Sequence, residues 1–413
     1  MVRSTRPGGS STRRGLLALL GAAVAVLGVV TALRIGAFLP GTAAAAATAS
    51  APVTSELASP TVVPSPTVAP TPTRPAPTVP PPTPRPTPQT VPGPLTGLPV
   101  SLEAALRHPI AVMVDDHVDA RPQSGFNAAS IVWHAPAEWG IPRYMLVFQD
   151  EIPAGVGPIR SARQYYVEWA AEYGAMYVHH GGSPQALATL SAKGNGQWVW
   201  NADGFRWIGP YLWRSASRFA PHNVYTDGEH LRDLAARLGA DDAPLEGAWS
   251  FGSPASPRLR PDGGTITVTY PYESVTYRYD PSTNRYERFI NGAKKPQVDR
   301  ADGQVVAPAN VVILRMAFGA LSNGPRNHGR LEAQNVGTGT AWISTNGRTV
   351  KATWSKAWRT APTLLFGPNG EQIRLTPGQT FVQVLALGYG LTIADGEAPA
   401  VTPPMQATHT QPL

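Results

Sequence analysis

A proline-rich segment limits what this chain can fold into more than any other feature. Sixteen prolines lie between Pro52 and Pro94, mixed mainly with Thr, Ser, Ala and Val. This composition cannot bury enough apolar surface to build a core, and it favours extended polyproline II structure. At about 3.1 Å per residue, some forty residues reach on the order of 120 Å. We therefore predict a disordered linker over residues 51–94 and a folded body that begins at residue 95.

An uncharged apolar run of nineteen residues, 15–33, precedes this linker and follows four arginines. The run is about long enough to cross a bilayer core, and the basic flank favours a cytoplasmic N-terminus. Several Ala-x-Ala matches follow, so cleavage of a signal peptide remains open. Residues 1–50 are thus predicted to be a signal or anchor. The body is expected outside the cell, held to the membrane by residues 15–33 or secreted after cleavage.

The charge of the chain is concentrated in its N-terminal part. The net charge is +7, but residues 1–94 hold seven arginines and one acidic residue, Glu56. The rest of the chain is therefore nearly neutral, which argues against a nucleic-acid partner. The chain contains no cysteine. Thiol catalysis, cysteine-ligated metals and lipidation at a lipobox cysteine are thereby excluded.

Two patterns divide the folded body. Apolar runs at 110–114 and 175–178 predict buried strands, and helical periodicity predicts helices over 161–173, 185–192 and 227–238. We expect residues 95–255 to form a three-layer α/β domain with a mixed sheet. Short alternating segments separated by turn residues then predict a mostly antiparallel, β-rich region over residues 263–390. Residues 391–413 are predicted to be a disordered tail.

Motifs in both regions resemble the YerB-like lipoprotein family, which has an N-terminal and a C-terminal conserved domain and no established activity. They are Pro94 to Pro99, Asp119 to Gly125, Val156 to Arg163, His180 to Gln185, Ala220 to Tyr225, Gly329 to Leu331, Gly347 to Trp354 and Leu375 to Thr380. The resemblance covers roughly residues 94–388 and implies a surface location and an α/β fold. The missing lipobox cysteine departs from the family's lipoprotein members, so any anchor must be the apolar segment.

The topology alone is also similar to that of the LytR-CpsA-Psr envelope phosphotransferases, which combine one N-terminal anchor with an external α/β domain. Those enzymes use arginines against a polyprenyl pyrophosphate. No catalytic motif can be aligned, so the similarity is an analogy of architecture.

The strongest site prediction comes from strand ends. If 110–114 and 175–178 are parallel strands of one sheet, their carboxyl ends share an edge where ligands usually bind. Asp115 and Asp116, His179 and His180, and the glycine-rich helix start at Ser183 would meet there. Ser183 is also a suitable helix N-cap, and no nucleophile-elbow pattern surrounds it.

Arg160 and Arg163 lie at the start of the predicted helix 161–173. The positive end of the helix dipole disfavours two arginines there unless a negative group lies between them. That group could be a ligand phosphate or carboxylate, or a protein carboxylate such as Asp115, Asp119 or Glu138.

Two polar clusters complete the list of candidate ligand-binding residues. The first lies in the loop after residues 110–114 and comprises Arg121, Gln123 and Ser124; the second comprises Arg218, His222 and Asn223. Histidines and aspartates occur nearby, but without the spacing of a known metal motif, so no metal site is predicted.

These residues leave three functions open. The first is a binding module for a phosphate- or carboxylate-bearing envelope component. The second is an envelope phosphotransferase or hydrolase with Asp115 as base or metal ligand and the arginines stabilising charge. The third is a protein-interaction scaffold. Binding ranks first because no complete nucleophile–base set is visible, and the sequence leaves any cofactor unidentified.

Overall fold

The computed structural model describes residues 89–191, 198–321 and 328–398. The predicted signal or anchor (1–50) and most of the predicted linker lie outside these residues, as does the tail beyond residue 398. Within the described ranges, no helix has both the length and the apolar character needed to span a bilayer.

Five helices and twenty-two strands make up the described part of the chain. The helices are α1 (Leu102–Leu106), α2 (Gln164–Ala171), α3 (Pro184–Ser191), α4 (Gly204–Trp207) and α5 (Gly228–Leu238). The strands before residue 262 are β1 (Thr90–Pro92), β2 (Pro99–Ser101), β3 (Ile110–Asp115), β4 (Ile131–Pro136), β5 (Pro142–Phe148), β6 (Met176–His179), β7 (Trp200–Asp203), β8 (Trp213–Arg214), β9 (Val224–Tyr225) and β10 (Ser250–Phe251). The later strands are β11 (Gly264–Thr269), β12 (Ser274–Asp280), β13 (Arg285–Ile290), β14 (Asn310–Met316), β15 (Phe318–Ala320), β16 (Leu331–Ala333), β17 (Gly337–Thr345), β18 (Arg348–Lys356), β19 (Leu364–Phe366), β20 (Arg374–Leu375), β21 (Thr380–Ala386) and β22 (Gly390–Asp395).

One mixed sheet of ten strands runs through both halves of the body. Its order is β19-β18-β17-β14-β21-β4-β5-β3-β6-β7. Strand β21 lies between β14 and β4 and is parallel to both. The β-rich region therefore continues the sheet that begins in the α/β region, and β4 has a C-terminal strand as its neighbour.

Both faces of this sheet are covered, because its strands carry apolar side chains on both sides. On one face, Ala111 and Met113 belong to a core that includes residues of α2 and α3. On the other, Val112 and Val114 pack with residues of α5 and of a second sheet. That second sheet is antiparallel, with the order β13-β12-β11-β22. The predicted fold class, α/β with a mixed sheet followed by a mostly antiparallel region, is confirmed.

Several element predictions are confirmed in detail. Strands β3 and β6 are parallel neighbours. Helix α5 begins after the cap Asp227, whose side chain accepts a hydrogen bond from the His230 backbone N–H, and it ends at Gly239 in the left-handed conformation.

Three boundaries were predicted wrongly. The linker predicted to be disordered through residue 94 is wrong at its end, because Thr90–Pro92 form β1 and pair with β2. The helix predicted from Ser161 begins at Gln164, because the preceding residues are extended; Arg160 N–H, for example, donates to the Met113 carbonyl. The tail predicted from residue 391 is wrong for 391–395, which belong to β22. Residues of β22 alternate between partly buried and exposed and pair with β11, which fixes them in the second sheet.

Candidate functional site

A pocket of about 310 Å³ opens where β3 ends. Its wall comes from the loop after β3, from the start of β5 and from the turns around the second sheet. The lining residues are Asp116, His117, Val118, Arg121, Ile141, Pro142, Tyr272, Glu273 and Asn291. Both halves of the body therefore build this pocket.

Asp115 and Asp116 follow one another at the end of β3. Their side chains point in opposite directions, because side chains alternate along an extended chain. Asp115 reaches Arg160 and His222. Asp116 turns into the layer between the two sheets and is 2 % exposed. Each aspartate thus has its own set of partners.

Asp116 is held by three side chains. Its Oδ2 lies 2.8 Å from His134 Nε2. Its Oδ1 accepts hydrogen bonds from Arg121 Nε at 3.0 Å and from Gln123 Nε2 at 2.9 Å. Both carboxylate oxygens are therefore satisfied, as an ionised buried group requires.

Glu273 faces the same arginine from the turn between β11 and β12. Arg121 Nη2 donates to Glu273 Oε2, so the guanidinium bridges Asp116 and Glu273. The other oxygen, Glu273 Oε1, lies 3.4 Å from His134 Nε2 and forms no hydrogen bond among the described residues. Glu273 is buried, and its side chain forms part of the pocket wall.

Burial and mutual repulsion give the carboxyl groups of Asp116 and Glu273 very different pKa values. Burial, followed by the charge of Asp116, raises the pKa of Glu273 to about 8, although Arg121 opposes the shift. Burial also acts to raise the pKa of Asp116, but the hydrogen bond and charge of His134, with the charge of Arg121, lower it to about 2. At neutral pH the pair holds one proton, on Glu273.

A buried polar layer supports this pair from behind. Gln383 Oε1 lies 3.0 Å from His134 Nδ1 and accepts a hydrogen bond from Tyr270 at 2.9 Å. Arg288, fully buried, donates to the Tyr144 hydroxyl at 2.8 Å. His134 is consequently held in one orientation, and burial lowers its pKa.

Two groups of residues near the pocket contain side chains of the types that bind metals, but one group is ion-paired with an arginine and the other contains stacked histidine rings. Asp116, His134 and Glu273 have ligand atoms within 4.8 Å of one another, yet the Arg121 guanidinium already lies between the carboxylates as their cation. His117, Asp119 and His222 form the second group. The rings of His117 and His222 are stacked at 4.8 Å and 17°, so their lone pairs lie in nearly parallel planes and do not converge.

Asp115 forms a second ionic cluster beside the pocket. Its Oδ2 lies 2.6 Å from His222 Nδ1 and 2.9 Å from Arg160 Nε. The Arg160 side chain is 23 % exposed, so one end of this cluster reaches solvent. Three residues predicted from separate parts of the chain therefore meet here.

Arg163 lies elsewhere and is buried. Its guanidinium contacts Glu138 Oε1, and Glu138 also pairs with Arg143 at 2.9 Å. The sequence left either a ligand anion or a protein carboxylate as the partner of the two arginines. In the structure, both arginines lie beside protein carboxylates.

Two of the other predicted residues, Ser183 and Arg218, hold the surrounding backbone. Ser183 accepts a hydrogen bond from the Ala186 N–H at 3.3 Å, as an N-cap does. Arg218 donates to the carbonyls of Asp119 and Pro122 at 2.7 Å and so fixes the loop after β3. Three further residues also lie outside the carboxylate pair: Ser124 pairs through its backbone with Gly157, Asn223 accepts from Arg214, and His180 lies 3.3 Å from Arg214.

His134 and Glu273 are the functional residues that sequence reasoning missed. His134 lies within the apolar strand β4, where the sequence gives no separate signal for it. Glu273 sits in a hairpin turn of a different region, 152 residues from Arg121. Asp116 at the predicted strand end and the polar loop containing Arg121 and Gln123 were the sequence signals that pointed to this pocket.

Comparisons with known proteins agree over most of the body. Residues 95–241 match a family model described as the N-terminal domain of "Protein of unknown function (DUF3048)", and residues 266–382 match the C-terminal domain of the same family. A protein of Bacillus subtilis (strain 168), "Putative lipoprotein YerB", is 31% identical over 311 residues, which cover 74% of this chain and 89% of that protein. A crystal structure of the YerB protein from Bacillus subtilis matches with a TM-score of 0.63 and 28% identity, over 71% of this chain and 96% of that one.

Proposed function

We propose a function for this chain from the premise that it belongs to the DUF3048 family, whose two conserved domains it contains. We infer that it is an extracytoplasmic envelope protein whose pocket performs acid–base chemistry. One observation carries this proposal: Asp116 and Glu273, bridged by Arg121, share a pocket and titrate far apart.

The location rests on the N-terminal sequence and on a relative. The similar protein of Bacillus subtilis is a putative lipoprotein by name. This chain has no cysteine to carry a lipid, so the tether proposed here is the apolar segment 15–33, with the proline-rich segment as a spacer.

Protease added to intact spheroplasts should therefore remove residues 95–413 and leave a short membrane-bound fragment. The same treatment after lysis serves as the control for protease activity. Full protection in intact spheroplasts would place the body on the cytoplasmic side and contradict the proposal.

Acid–base chemistry follows from the different protonation of the two carboxyl groups. Near neutral pH, Glu273 can give a proton to a leaving atom and then, as a carboxylate, take one from the attacking water, while the charge of the fully buried Asp116 helps to keep the pKa of Glu273 high. The overall reaction is hydrolysis, in which water adds across a bond whose leaving group needs a proton. Arg121 stabilises negative charge at the pair, and His134 orients Asp116.

Glu273→Gln is the sharpest test, because glutamine has nearly the shape of the protonated acid and cannot donate its proton. We expect the full chain to release soluble products from isolated peptidoglycan or from extracted membrane lipids, measured by mass spectrometry. Glu273→Gln and Asp116→Asn should each slow release by about 100-fold or more. The exposed Glu246→Gln is the matched control and should keep the wild-type rate.

An anion-binding module is the second candidate, and the charge balance favours it. With Glu273 protonated, Arg121 and fully buried Arg288 face the single charge of Asp116, so the pocket carries a positive surplus. The same variants separate the two functions. Binding of phosphate-bearing fragments that survives Glu273→Gln, without product release by the parent, supports the module. Undiminished turnover in Glu273→Gln would rule out the acid–base role.

A further inference from the structure

A second cavity, of about 470 Å³, lies on the face of the main sheet that carries α2. Its walls are α2, the segment that follows β16 and the turn that follows β18. This volume is in the range of ordinary small-molecule sites, roughly 300–1,000 Å³. The groove is separate from the Asp116 pocket, with which it shares none of its lining residues.

One wall offers an aromatic surface without protein cover. Trp358 lies in the turn after β18 and is 62 % exposed. Its indole is a large, flat, apolar surface with one N–H donor at its edge. Such a surface suits a ligand that has an apolar face and polar edges, as a pyranose ring has.

The floor and the other wall offer fixed polar groups. Glu168 is 4 % exposed; its carboxylate accepts a hydrogen bond from Gln164 at 2.9 Å and lies 3.5 Å from Arg359. Asn335 is 3 % exposed, and its Nδ2 has no hydrogen-bond partner among the described residues. Leaving a buried amide donor unpaired costs free energy, and Asn335 lines the groove, so this group is a candidate donor to a molecule bound there.

The charge of the groove selects against anions. Glu168 and Glu332 contribute two carboxylates, and Arg359 supplies one cation. A phosphate or carboxylate ligand would meet a negative surplus. Carboxylate and amide side chains can instead accept from and donate to vicinal hydroxyl groups, which are uncharged.

From these features together, we infer that this groove binds a neutral, hydroxyl-rich glycan segment. The sugar ring stacks on Trp358, and its hydroxyls meet the Asn335 amide and the Glu168 carboxylate. The inference stands apart from the acid–base proposal, because none of its residues belongs to the Asp116 pocket.

Calorimetric titration of the full chain tests the inference, in a detergent without a sugar head group. Chitotetraose, cellotetraose and maltotetraose are the soluble probes, and an insoluble wall polysaccharide tested by co-sedimentation separates polymeric from free glycan as the source. We expect saturable binding of at least one neutral probe. Trp358→Ala should weaken it by about tenfold or more.

Trp213→Ala is the matched control, since Trp213 is a partly exposed tryptophan outside the groove. It should change the affinity by less than about twofold, and both variants should keep the parent's thermal midpoint. Absence of saturable binding for every glycan, or equal losses in the two tryptophan variants, would overturn the inference. Binding of triglycine in preference to the sugars would assign the groove to peptides instead.

Discussion

Replacing Lys356 by methionine should lower the free energy of unfolding by roughly 3–5 kcal/mol. Lys356 lies on β18 with its side chain fully buried, and its Nζ is 2.6 Å from the Glu172 carboxylate. Glu172 follows α2 and also accepts hydrogen bonds from the Thr363 backbone N–H and hydroxyl. The substitution leaves a buried carboxylate without its cation, which costs far more than the loss of a surface ion pair.

The exposed Lys351→Met on the same strand is the matched control and should cost less than about 0.5 kcal/mol. Urea unfolding of both variants measures the difference. Burial already raises the pKa of Glu172, so the loss in Lys356→Met should shrink as the pH falls and the stranded carboxyl takes up a proton. Adding Glu172→Gln should restore part of the stability. Equal losses in the two lysine variants would contradict the buried pairing.

Glu273→Gln should make the protein progressively more stable than the parent as the pH rises. The folded-state pKa of Glu273, about 8, is above its ordinary value of 4.5. The folded parent therefore holds a proton that the unfolded chain has released, and its stability falls between these two pH values. Glutamine does not titrate, so the difference between variant and parent should grow by about 3.5 kcal/mol from pH 5 to pH 8.

Chemical unfolding at several pH values measures this difference, with Glu246→Gln as the exposed control. Asp116, with a pKa of about 2, stays ionised in the folded protein throughout this window, and groups far from the pair contribute equally to variant and parent. A difference that stays constant across this window would mean that Glu273 is ionised in the folded protein. It would also remove the proton donor on which the proposed chemistry rests.

The elements that sequence analysis predicted well are those with a local physical cause. The apolar runs in β3 and β6 require burial on both sides, and Asp227 with Gly239 marks both ends of α5. These signals lie within a few residues of the structure they specify. The partners of the strands do not: nothing local in Thr380–Ala386 indicates that it pairs with β4.

The site shows the same difference between local signals, which the sequence carries, and contacts between distant parts of the chain, which it does not. Negative groups do lie near Arg160 and Arg163, although Arg160 precedes the helix in extended chain and the helix dipole does not act on it; the sequence could not tell a ligand from Asp115 and Glu138. Glu138 reaches Arg163 from a turn between β4 and β5, in which Trp139 adopts a positive φ of 58°. Glu273 reaches Arg121 only once the second sheet has packed on the first.

The place of β21 between β14 and β4 also determines when the body can fold. Its residue Gln383 pairs with His134, 249 positions earlier in the chain. While the chain is being synthesised, β4 has an unpaired edge until almost the whole body has been made, and such edges are prone to aggregate. The chain between β4 and β21 must lose conformational entropy before the two strands can form their stabilising hydrogen bonds. This early entropic cost slows folding. The body is therefore a late-folding, high-contact-order unit, and its first half depends on protection from other chains until β21 arrives.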